Sequence, residues 1–287
     1  MPDIAAVLVD YNAGEELVRA LKSIAAELDG RSWEGVVIDN ASNDESAAGV
    51  AAFAPAVRLI RNATNVGFGT AVNQGIAATT APLVLVMNPD ARLERGAIAG
   101  LEAVLAAHAD CALVGPRILN PDGSVQGSAR GDPDMLTGLF GRRQALARLF
   151  PWLPIARRNV IDPATLPPGE SHVVDWLSGA CILGPRAAFA RVGGFDERYF
   201  LYWEDADLCR RLRQQGLHVR YVPGAVAVHR VGHSSRTAQA ASIRAFHASA
   251  RLYYDTHVAP GRVNPLRAVA RVLLALRQWW HLRRLAP

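Results

Sequence analysis

Apolar and polar positions alternate along the first 110 residues in a pattern that predicts a layered α/β structure. Short aliphatic runs lie at 4–9, 36–38, 57–60 and 83–87. Between them, apolar residues recur at helical spacing, and helices are predicted at 15–28, 44–53, 67–78 and 94–107. Nearly continuous aliphatic strands that alternate with helices are typical of a parallel sheet covered by helices on both faces.

The second half of the chain has a less regular pattern. A strand is predicted at 111–119, and Asn120-Pro121-Asp122-Gly123 is a strong turn signal. Residues 130–170 are rich in Pro, Gly and Arg and show little periodicity. Because strand-like order resumes at 173–184, we interpret them as a long excursion or lid rather than a domain boundary. Further elements are predicted in this order: a strand-like stretch at 173–184, a helix at 204–215, a strand at 217–228, and helices at 238–257 and 265–284.

Composition narrows the class of protein. Hydrophobic residues make up 50% of the 287 positions, which excludes a disordered chain. No apolar run approaches the roughly 18–20 residues needed to span a bilayer, and no secretory signal is visible at the N-terminus. Three scattered cysteines indicate no disulfide framework and no zinc site. We therefore expect a soluble, cytoplasmic protein.

The positive charge is concentrated at one end of the chain. There are 31 Lys and Arg against 26 Asp and Glu, a net charge of +5. Residues 261–287 contain six arginines and no acid, which leaves 25 basic and 26 acidic side chains in the rest of the chain. The net positive charge of the chain therefore comes from its C-terminal tail, and it indicates where the protein is located rather than what binds in its active site. Only the tail approaches the basic, aromatic-rich surface of a nucleic-acid-binding protein, so we expect no nucleic-acid partner.

Polar residues follow the predicted strands at the edge where open α/β sheets bind ligands. Asp39 ends one strand, where its carboxylate can accept a hydrogen bond from a base or a ribose, or can cap a helix. Asn88-Pro89-Asp90 follows the most apolar strand. Asp90 suits a divalent cation that prefers oxygen ligands, although the tripeptide is also a common turn.

The segment 65–75 contains a glycine pair, Gly67-x-Gly69, before a predicted helix. Asn65 lies near the predicted cap of that helix. A dinucleotide-binding motif would have a third glycine where Val72 stands, and would follow the first strand rather than the third, so a dehydrogenase is a weak alternative. The glycines are instead expected to admit a nucleotide whose phosphate faces the amides of the helix N-terminus.

Three carboxylates, Glu204, Asp205 and Asp207, lie at the start of one predicted helix. The helix dipole accounts for part of this clustering. Their mutual repulsion, beside two aromatic residues, is expected to raise the pKa of at least one of them, which suits a general base. His229 follows a strand-like stretch. A lone histidine there is more often structural, but near Asp90 it would complete a metal site.

The order of these motifs resembles glycosyltransferase family two, in particular the rhamnosyltransferase-like branch that acts in bacterial cell-wall and surface polysaccharide synthesis. The resemblance covers about residues 4–235, and its specificity comes from the order of motifs that are individually weak. The motifs are Asp10-Tyr11-Asn12, Val37-Ile38-Asp39-Asn40-Ala41-Ser42, Asn65-x-Gly67-Phe68-Gly69 with Asn73-x-Gly75, Asn88-Pro89-Asp90, Trp176-Leu177-Ser178-Gly179-Ala180, Gly193-Gly194-Phe195-Asp196-Glu197, Glu204-Asp205-x-Asp207-Leu208 and His229.

The resemblance implies a GT-A fold, a mostly parallel Rossmann-like sheet flanked by helices. It implies a catalytic domain at 1–235, with a nucleotide-binding half at about 1–115 and an acceptor half at about 116–235 that contains a flexible excursion at about 130–170. A basic amphipathic helical extension at 236–287 lies outside it.

The resemblance also implies roles for individual residues. Asp39 would hold a pyrimidine base beside Tyr11, and Asp90 would bind Mg²⁺ or Mn²⁺ together with His229. Asp205 would be the base that deprotonates the acceptor, with Glu204 as the competing candidate. The remaining donor-binding residues would be Asn65, Gly67, Asn73, Asn88, Ser178, Gly179 and Trp176, with Trp176 between donor and acceptor.

Two positions depart from the family pattern. Asp10 stands where the family usually has Asn, which changes the edge of the nucleotide pocket. Asn88 stands where stricter Asp-x-Asp enzymes have a carboxylate, which is usual in this branch. It leaves the metal site with one fewer negative charge.

The implied reaction transfers a sugar to a saccharide or lipid-linked acceptor with inversion at the anomeric carbon. The preferred donor is dTDP-rhamnose, which would supply rhamnose. UDP-galactofuranose, UDP-GlcNAc and GDP-mannose are alternative donors, and a non-catalytic glycosyltransferase-like binding protein is a second class of function. A nucleotidyltransferase would need a glycine-rich phosphate loop with a basic residue after the first strand, and Asp10-Tyr11-Asn12-Ala13-Gly14 is not one.

The C-terminal helix is interpreted from its pattern alone. Its apolar residues recur at helical spacing among arginines, and the tandem Trp279-Trp280 suits a boundary between water and lipid. The helix would either bind an anionic membrane or pack on the protein body or a second copy in a homodimer. If the helix binds a membrane, we expect the protein to be peripheral at the inner face of the plasma membrane. The apolar residues are Leu266, Val269, Leu273, Leu276 and Trp280.

Overall fold

The computed structural model describes residues 1–133, 169–230, 239–261 and 263–285. Most of the predicted excursion at 130–170 lies outside the described residues. The strands are β1 Ile4–Asp10, β2 Trp33–Asp39, β3 Val57–Arg61, β4 Leu83–Met87, β5 Ala91–Leu93, β6 Cys111–Leu119, β7 Ala129–Arg130, β8 His172–Val174, β9 Trp176–Leu177, β10 Cys181–Pro185 and β11 His218–His229. The α-helices are α1 Glu16–Glu27, α2 Phe68–Ala77, α3 Ala97–Ala107, α4 Arg186–Arg191, α5 Glu204–Gln214, α6 Gln239–Tyr253 and α7 Pro265–Arg283.

The N-terminal half forms the parallel sheet that the aliphatic runs predict. Strands β3, β2, β1 and β4 lie side by side in that order and pair in parallel. Every residue of β1 is buried, because one set of its side chains packs on the α1 side of the sheet and the other on the α2 side. Burial on both faces explains why these strands are aliphatic throughout rather than alternating.

The C-terminal half is mixed. The antiparallel strand β10 lies between β4 and β6, and the long strand β11 pairs in parallel with β6 and antiparallel with β5 and β8. Strands β7 and β9 form a separate two-stranded sheet. Because His229 at the end of β11 is opposite Ala91 at the start of β5, the strand register brings His229 next to Asp90.

Several details differ from the predicted elements. Residues Ser46–Phe53 form a 3₁₀ helix instead of an α-helix, and this helix ends where Pro55 requires an extended Ala54. The predicted strand at 173–184 is split into three by Asp175 and a turn at 178–180. The short elements β5, β7 and α4 have too few residues to show a periodic pattern and were not predicted.

The C-terminal helices pack against the rest of the protein. Helix α6 continues as a π-helical turn, Tyr254–Val258, and α7 contacts α6 through Ala270 and Leu274. Tyr253 belongs to the core on the α2 side of the sheet. Among the described residues, no helix combines the length and the hydropathy that crossing a bilayer requires.

Candidate active site

The first three strands end together and present their last residues at one edge of the sheet. Asp10 is opposite Asp39 in the β1–β2 ladder, and Asp39 is opposite Arg61 in the β2–β3 ladder. The loops after β1 and β2 bond to each other, since Asn12 N donates to Ser42 Oγ at 3.0 Å and Asn43 N donates to Asn12 Oδ1 at 2.7 Å. Asn12 and Ala41 have positive φ, and such strain in non-glycine residues clusters at functional sites.

The Asp39 carboxylate lies at this edge of the sheet and is fixed there by contacts with neighbouring residues. Its Oδ1 accepts a hydrogen bond from Ser42 N at 2.9 Å, and its Oδ2 lies 3.8 Å from Nε of the exposed Arg61. The Asp39 residue is 7% exposed, and Tyr11 beside it is half-buried. Each carboxylate oxygen keeps a lone pair, so Asp39 can still accept a hydrogen bond from a ligand.

Asp10 lies behind Asp39 and is fully buried. Its Oδ1 accepts from Ala13 N at 3.2 Å, and its Oδ2 is 2.6 Å from Ser46 Oγ, which is also 2.5 Å from Asp44 Oδ1. Burial raises the pKa of Asp10 to about 6. One hydroxyl proton cannot serve two carboxylates, so this arrangement favours a protonated acid between them.

Asn40 fixes the loop at 65–67 through side-chain hydrogen bonds. No role for this residue was predicted from the sequence. Asn40 is 2% exposed and satisfies both ends of its amide: Nδ2 donates to Asn65 Oδ1 and Gly67 O, and Oδ1 accepts from Val66 N and Asn62 Nδ2. Asn65 Oδ1 also accepts from Gly67 N. The Asn65 side chain is therefore part of the loop that precedes α2, where its amide oxygen receives two donors.

Gly67 is required by the approach of another loop. Its φ is +89°, and a Cβ built there would lie 2.6 Å from Phe200 O, to which Phe68 N donates a hydrogen bond. Gly67 thus joins α2 to the segment before α5. Because both the conformation and the close backbone contact exclude a side chain, the glycine is explained without a ligand.

Asn73 connects α2 to the loop at 193–195. Its Nδ2 donates to Phe195 O at 2.9 Å, and its Oδ1 accepts from Phe195 N at 2.9 Å. Nδ2 also contacts Glu197 Oε1 at 3.2 Å. Both ends of the amide are used within the protein, so the structure gives Asn73 a bracing contact, and its role at the edge of the nucleotide pocket stays a prediction.

Asp90 and His229 form the candidate metal site. His229 Nε2 is 3.0 Å from Asp90 Oδ1, and the two side chains are 12% and 14% exposed. Asn88 Nδ2 is 3.4 Å from the same His229 nitrogen. Within the described ranges, no three His, Cys, Asp or Glu side chains are grouped to hold a metal ion. A carboxylate oxygen with an imidazole nitrogen suits Mn²⁺, whereas Mg²⁺ prefers oxygen ligands alone.

Asp205 lies at the start of α5, and its carboxylate is fixed by two backbone amides. Gly179 N donates to Oδ2 at 3.0 Å and Ala206 N donates to Oδ1 at 2.8 Å. The turn at 178–180 that carries Gly179 also accepts a hydrogen bond from Asn88 N on Ala180 O at 2.9 Å. This turn therefore links the Asp90–His229 pair to Asp205.

The three carboxylates at the start of α5 have separate surroundings. Asp207 is 1% exposed and pairs with Arg211 at 2.7 Å and with His257 at 2.6 Å. Glu204 is 6% exposed, whereas Asp205 is half-buried. Of the three, Asp205 is therefore the one most open to a substrate hydroxyl.

Trp176 and Ser178 both contact the segment 128–131. Trp176 is buried, its indole N–H donates to Gly131 O at 2.9 Å, and the Arg130 guanidinium lies 5.1 Å from the ring centroid. Ser178 N donates to Ser128 O at 2.8 Å. Their roles in donor binding stay predictions, and the contacts described here are with the protein.

The backbone before α5 is strained at two adjacent residues. Tyr202 and Trp203 have φ of +67° and +72°, which non-glycine residues rarely adopt. The Trp203 ring packs against Phe246 and Tyr253 of α6, with centroid distances of 5.8 and 5.1 Å. The aromatic packing on α6 offsets part of this strain, and the strained pair directly precedes Glu204 and Asp205.

Comparisons with known proteins identify the family of the chain. The family model for glycosyl transferase family 2 matches residues 6–153. The chain is 36% identical over 293 residues to the N-acetylglucosaminyl-diphospho-decaprenol L-rhamnosyltransferase of Mycobacterium tuberculosis, covering 96% of this chain and 92% of that protein.

Solved structures share the fold. A structure of GalNAc-T7 with UDP, GalNAc and Mn²⁺ has a TM-score of 0.63 at 18% identity, covering 80% of this chain and 44% of that one. The mannosyltransferase PcManGT from Pyrobaculum calidifontis, in complex with GDP-Man and Mn²⁺, has a TM-score of 0.59 at 18% identity, covering 98% and 72%. The GT-A fold that the motifs predicted is therefore confirmed.

Proposed function

Since the chain belongs to glycosyltransferase family 2 and is a glycosyltransferase, we propose that it transfers L-rhamnose from dTDP-rhamnose to a lipid-linked saccharide in cell-envelope polysaccharide synthesis, with inversion at the anomeric carbon. The observation that carries the proposal is the Asp90–His229 pair, which is joined through Asn88 and the turn at 178–180 to Asp205. The name of the 36% identical relative supports the choice of sugar and of acceptor.

The edge formed by β1, β2 and β3 is where the nucleotide would bind. Asp39 keeps lone pairs that can accept the N–H of a pyrimidine base, and the half-buried Tyr11 directly follows Asp10, the residue opposite Asp39 in the β1–β2 ladder. Asn12 and Ala41 have positive φ, and a hydrogen bond from Asn12 N to Ser42 Oγ joins the two loops beside the strand ends. These residues orient the donor and carry none of the bond changes.

Asp90 Oδ1 and His229 Nε2 would hold a divalent metal, for which the donor set favours Mn²⁺. Bound there, the ion would offset the negative charge of the leaving diphosphate. With two ligands from the protein, the remaining ligands of the ion would come from the donor diphosphate and water. Two solved structures with the same fold are complexes with Mn²⁺ and a nucleotide, which supports a divalent metal as the cofactor.

Asp205 would act as the general base. Its carboxylate takes the proton from an acceptor hydroxyl while the oxygen forms a bond to the anomeric carbon and the bond from that carbon to the diphosphate breaks. The hydrogen bonds from Gly179 N and Ala206 N keep the carboxylate in one orientation, and each oxygen retains a lone pair. Attack from the face opposite the leaving diphosphate inverts the configuration.

A donor screen tests the substrate. We expect release of dTDP from dTDP-rhamnose in the presence of an N-acetylglucosaminyl-diphospho-lipid acceptor, with the opposite anomeric configuration in the product by NMR. UDP-galactofuranose, UDP-GlcNAc and GDP-mannose are the comparison donors. Faster transfer from one of these would overturn the choice of rhamnose, and absence of transfer from all four would overturn the proposed reaction.

A metal titration tests the Asp90–His229 pair. Asp90→Asn and His229→Gln should each weaken Mn²⁺ binding, read from the electron paramagnetic resonance of free Mn²⁺. The matched control is Asp110→Asn, since Asp110 and His218 form an ion pair of similar chemistry at 3.4 Å with side chains 55% and 45% exposed. Equal Mn²⁺ affinity in all three variants and the wild type would contradict the site.

We also propose that α7 binds the surface of an anionic membrane, which would hold the enzyme at the inner face of the plasma membrane near a lipid-linked acceptor. The helix contacts α6 through one side only. Seven large apolar side chains of the helix are exposed, and Arg283 and Arg284 lie over Trp279 and Trp280 at one end. The seven are Leu266, Val269, Val272, Leu273, Leu276, Trp279 and Trp280.

Charge distinguishes a membrane from a second copy of the chain. No acidic residue lies in 261–287, and the rest of the chain is close to neutral. Asp255 pairs with Arg267 and Arg271, which leaves the arginines at the Trp end for lipid phosphates. Tryptophans beside arginines are typical of helices at a lipid boundary.

Vesicle flotation tests the membrane proposal. The double variant Leu276→Glu, Trp280→Glu should lose flotation with phosphatidylglycerol vesicles, while Val173→Glu, at an exposed apolar position on β8, should keep it. Point variants are preferable to truncation, because removing α7 would uncover Ala250 and Tyr254. Equal flotation of both variants, or a dimer in light scattering that the double variant abolishes, would overturn it.

A further inference from the structure

The turn after β6 reaches the candidate metal site through side chains that no motif assigns. Residues Asn120 to Ser124 form this turn, with Gly123 N donating to Asn120 O and Asn120 N donating to Ser124 O. Gln126 follows and bonds through its backbone N–H to Ile118 O at 2.8 Å. Its side chain contacts both the carbonyl and the ring of His229.

The donor and the acceptor can be assigned for each side-chain hydrogen bond in this turn. Asp122 can only accept when ionised, and bonds from Ser124 lower its pKa. Ser124 Oγ therefore donates to Asp122 Oδ1 at 2.6 Å and must accept from Asn120 Nδ2 at 2.8 Å. That orientation turns Asn120 Oδ1 toward Gln126 Nε2, which is 2.8 Å away.

The amide of Gln126 has one chemically acceptable orientation. Its Nε2 faces three oxygens, His229 O at 2.6 Å, Asn120 Oδ1 at 2.8 Å and Leu119 O at 3.5 Å. A flipped amide would place an oxygen against all three, so the nitrogen must lie there. Gln126 Oε1 is then the atom 3.0 Å from His229 Nδ1, and as an acceptor it requires a proton on that nitrogen.

His229 has two competing partners for its ring proton. A proton on Nε2 would bond to Asp90 Oδ1 at 3.0 Å and would block metal binding by that nitrogen. A proton on Nδ1 bonds to Gln126 Oε1 and leaves the lone pair of Nε2 directed toward Asp90. The other ring nitrogen of a metal-binding histidine commonly has a partner of this kind, which fixes the tautomer.

We propose that Gln126, oriented by the turn at 120–124, is the positioning residue that holds His229 in the Nδ1-protonated tautomer and so keeps Nε2 available for a divalent metal. This inference rests on the proposed metal site at Asp90 and His229. It gives a function to a turn that sequence analysis identified only as a turn, and it explains why Gln126 contacts both the ring and the backbone of the same histidine.

Ring-nitrogen spectroscopy of the metal-free protein tests the tautomer directly. Long-range ¹H–¹⁵N spectra of protein labelled with ¹⁵N-histidine distinguish protonated from unprotonated ring nitrogens, and His229→Gln identifies the His229 signals by their loss. The contact with Gln126 Oε1 predicts a proton on Nδ1 in the wild type and its move to Nε2 in Gln126→Ala. An unprotonated Nδ1 in the wild type would overturn the inference.

Metal binding of variants tests the consequence. Gln126→Ala should shift the proton of His229 to Nε2 and weaken Mn²⁺ binding by about 10-fold to 100-fold, the usual effect of removing such a partner. The control is Gln215→Ala, on an exposed side chain at the end of α5. Unchanged Mn²⁺ affinity in folded Gln126→Ala would overturn the inference.

The two arms separate this inference from the proposed function. Failure of the wild type to bind Mn²⁺ would contradict the metal site, whereas the tautomer of the metal-free protein would still decide the role of Gln126. Gln126→Leu, which keeps most of the side-chain volume, provides a second variant if the alanine variant fails to fold, and the same shift of the proton to Nε2 is expected of it.

Discussion

Asp10 provides the sharpest prediction about stability. Its carboxylate is fully buried, and Ser46 Oγ lies between it and Asp44, at 2.6 and 2.5 Å from the two carboxylates. Asp10→Asn would keep the bond from Ala13 N to Oδ1, and its new amide would donate to Ser46, whose hydroxyl could then donate to Asp44. The wild-type carboxyl group must be protonated to donate a hydrogen bond to Ser46. The amide of the Asn variant donates the same bond without taking up a proton.

The size of the effect follows from the pKa of Asp10. Burial raises it from 3.8 to about 6, a change of about two units, and each unit corresponds to about 1.4 kcal/mol, so about 3 kcal/mol is involved. Because the pKa of the folded state is the higher one, the contribution of Asp10 to stability is complete below about pH 4. It is lost as the pH rises through about 6.

Urea unfolding measured at pH 4 and at pH 8 tests this reasoning. We expect Asp10→Asn to match the wild type at pH 4 and to exceed it by up to about 3 kcal/mol at pH 8. Asp29→Asn, at an exposed position, should differ little from the wild type at either pH. An Asn variant that is less stable at pH 8, or a difference that does not depend on pH, would refute the account of Asp10.

Two further substitutions test how the catalytic elements are held together. Gly194→Ala should destabilise the protein by more than Gly193→Ala: both glycines have a φ of +74°, but a Cβ at Gly194 would collide with Asn73 Oδ1 while one at Gly193 meets nothing within 4 Å. Equal free energies of unfolding for the two variants would contradict this. Asp207→Ala should cost about 3–5 kcal/mol in urea unfolding, because it removes the buried carboxylate that Arg211 and His257 share; a loss below about 1 kcal/mol would show that these contacts contribute little to stability.

The sequence predicted the fold where burial leaves a simple pattern. Strands β1 and β4 are buried on both faces, so their aliphatic runs were unambiguous, and the long helices α1 and α5 have clear periodicity. The antiparallel insertion of β10 between β4 and β6 was not predicted, because pairing partners lie far apart in the chain and leave no local pattern.

The sequence could indicate candidate site residues for the same reason. Asp39, Asp90 and Asp205 follow strands or begin a helix, so their order was informative. The choice between Glu204 and Asp205 depends on exposure, and the bracing contacts of Asn73 depend on Phe195, which is 122 residues away. Gln126 stands alone in the sequence after a turn, and only the folded chain reveals its contact with His229.

Asp205 as the general base is the central claim, and the variant Asp205→Asn tests it most directly when transfer and donor binding are measured on the same preparation. The amide keeps the shape of the side chain but cannot take the acceptor proton. We predict that transfer from dTDP-rhamnose falls by about 10²-fold to 10⁴-fold, the range for loss of a general base, while the dissociation constant for the donor stays within about threefold. Turnover close to that of the wild type, with donor binding unchanged, would contradict the account.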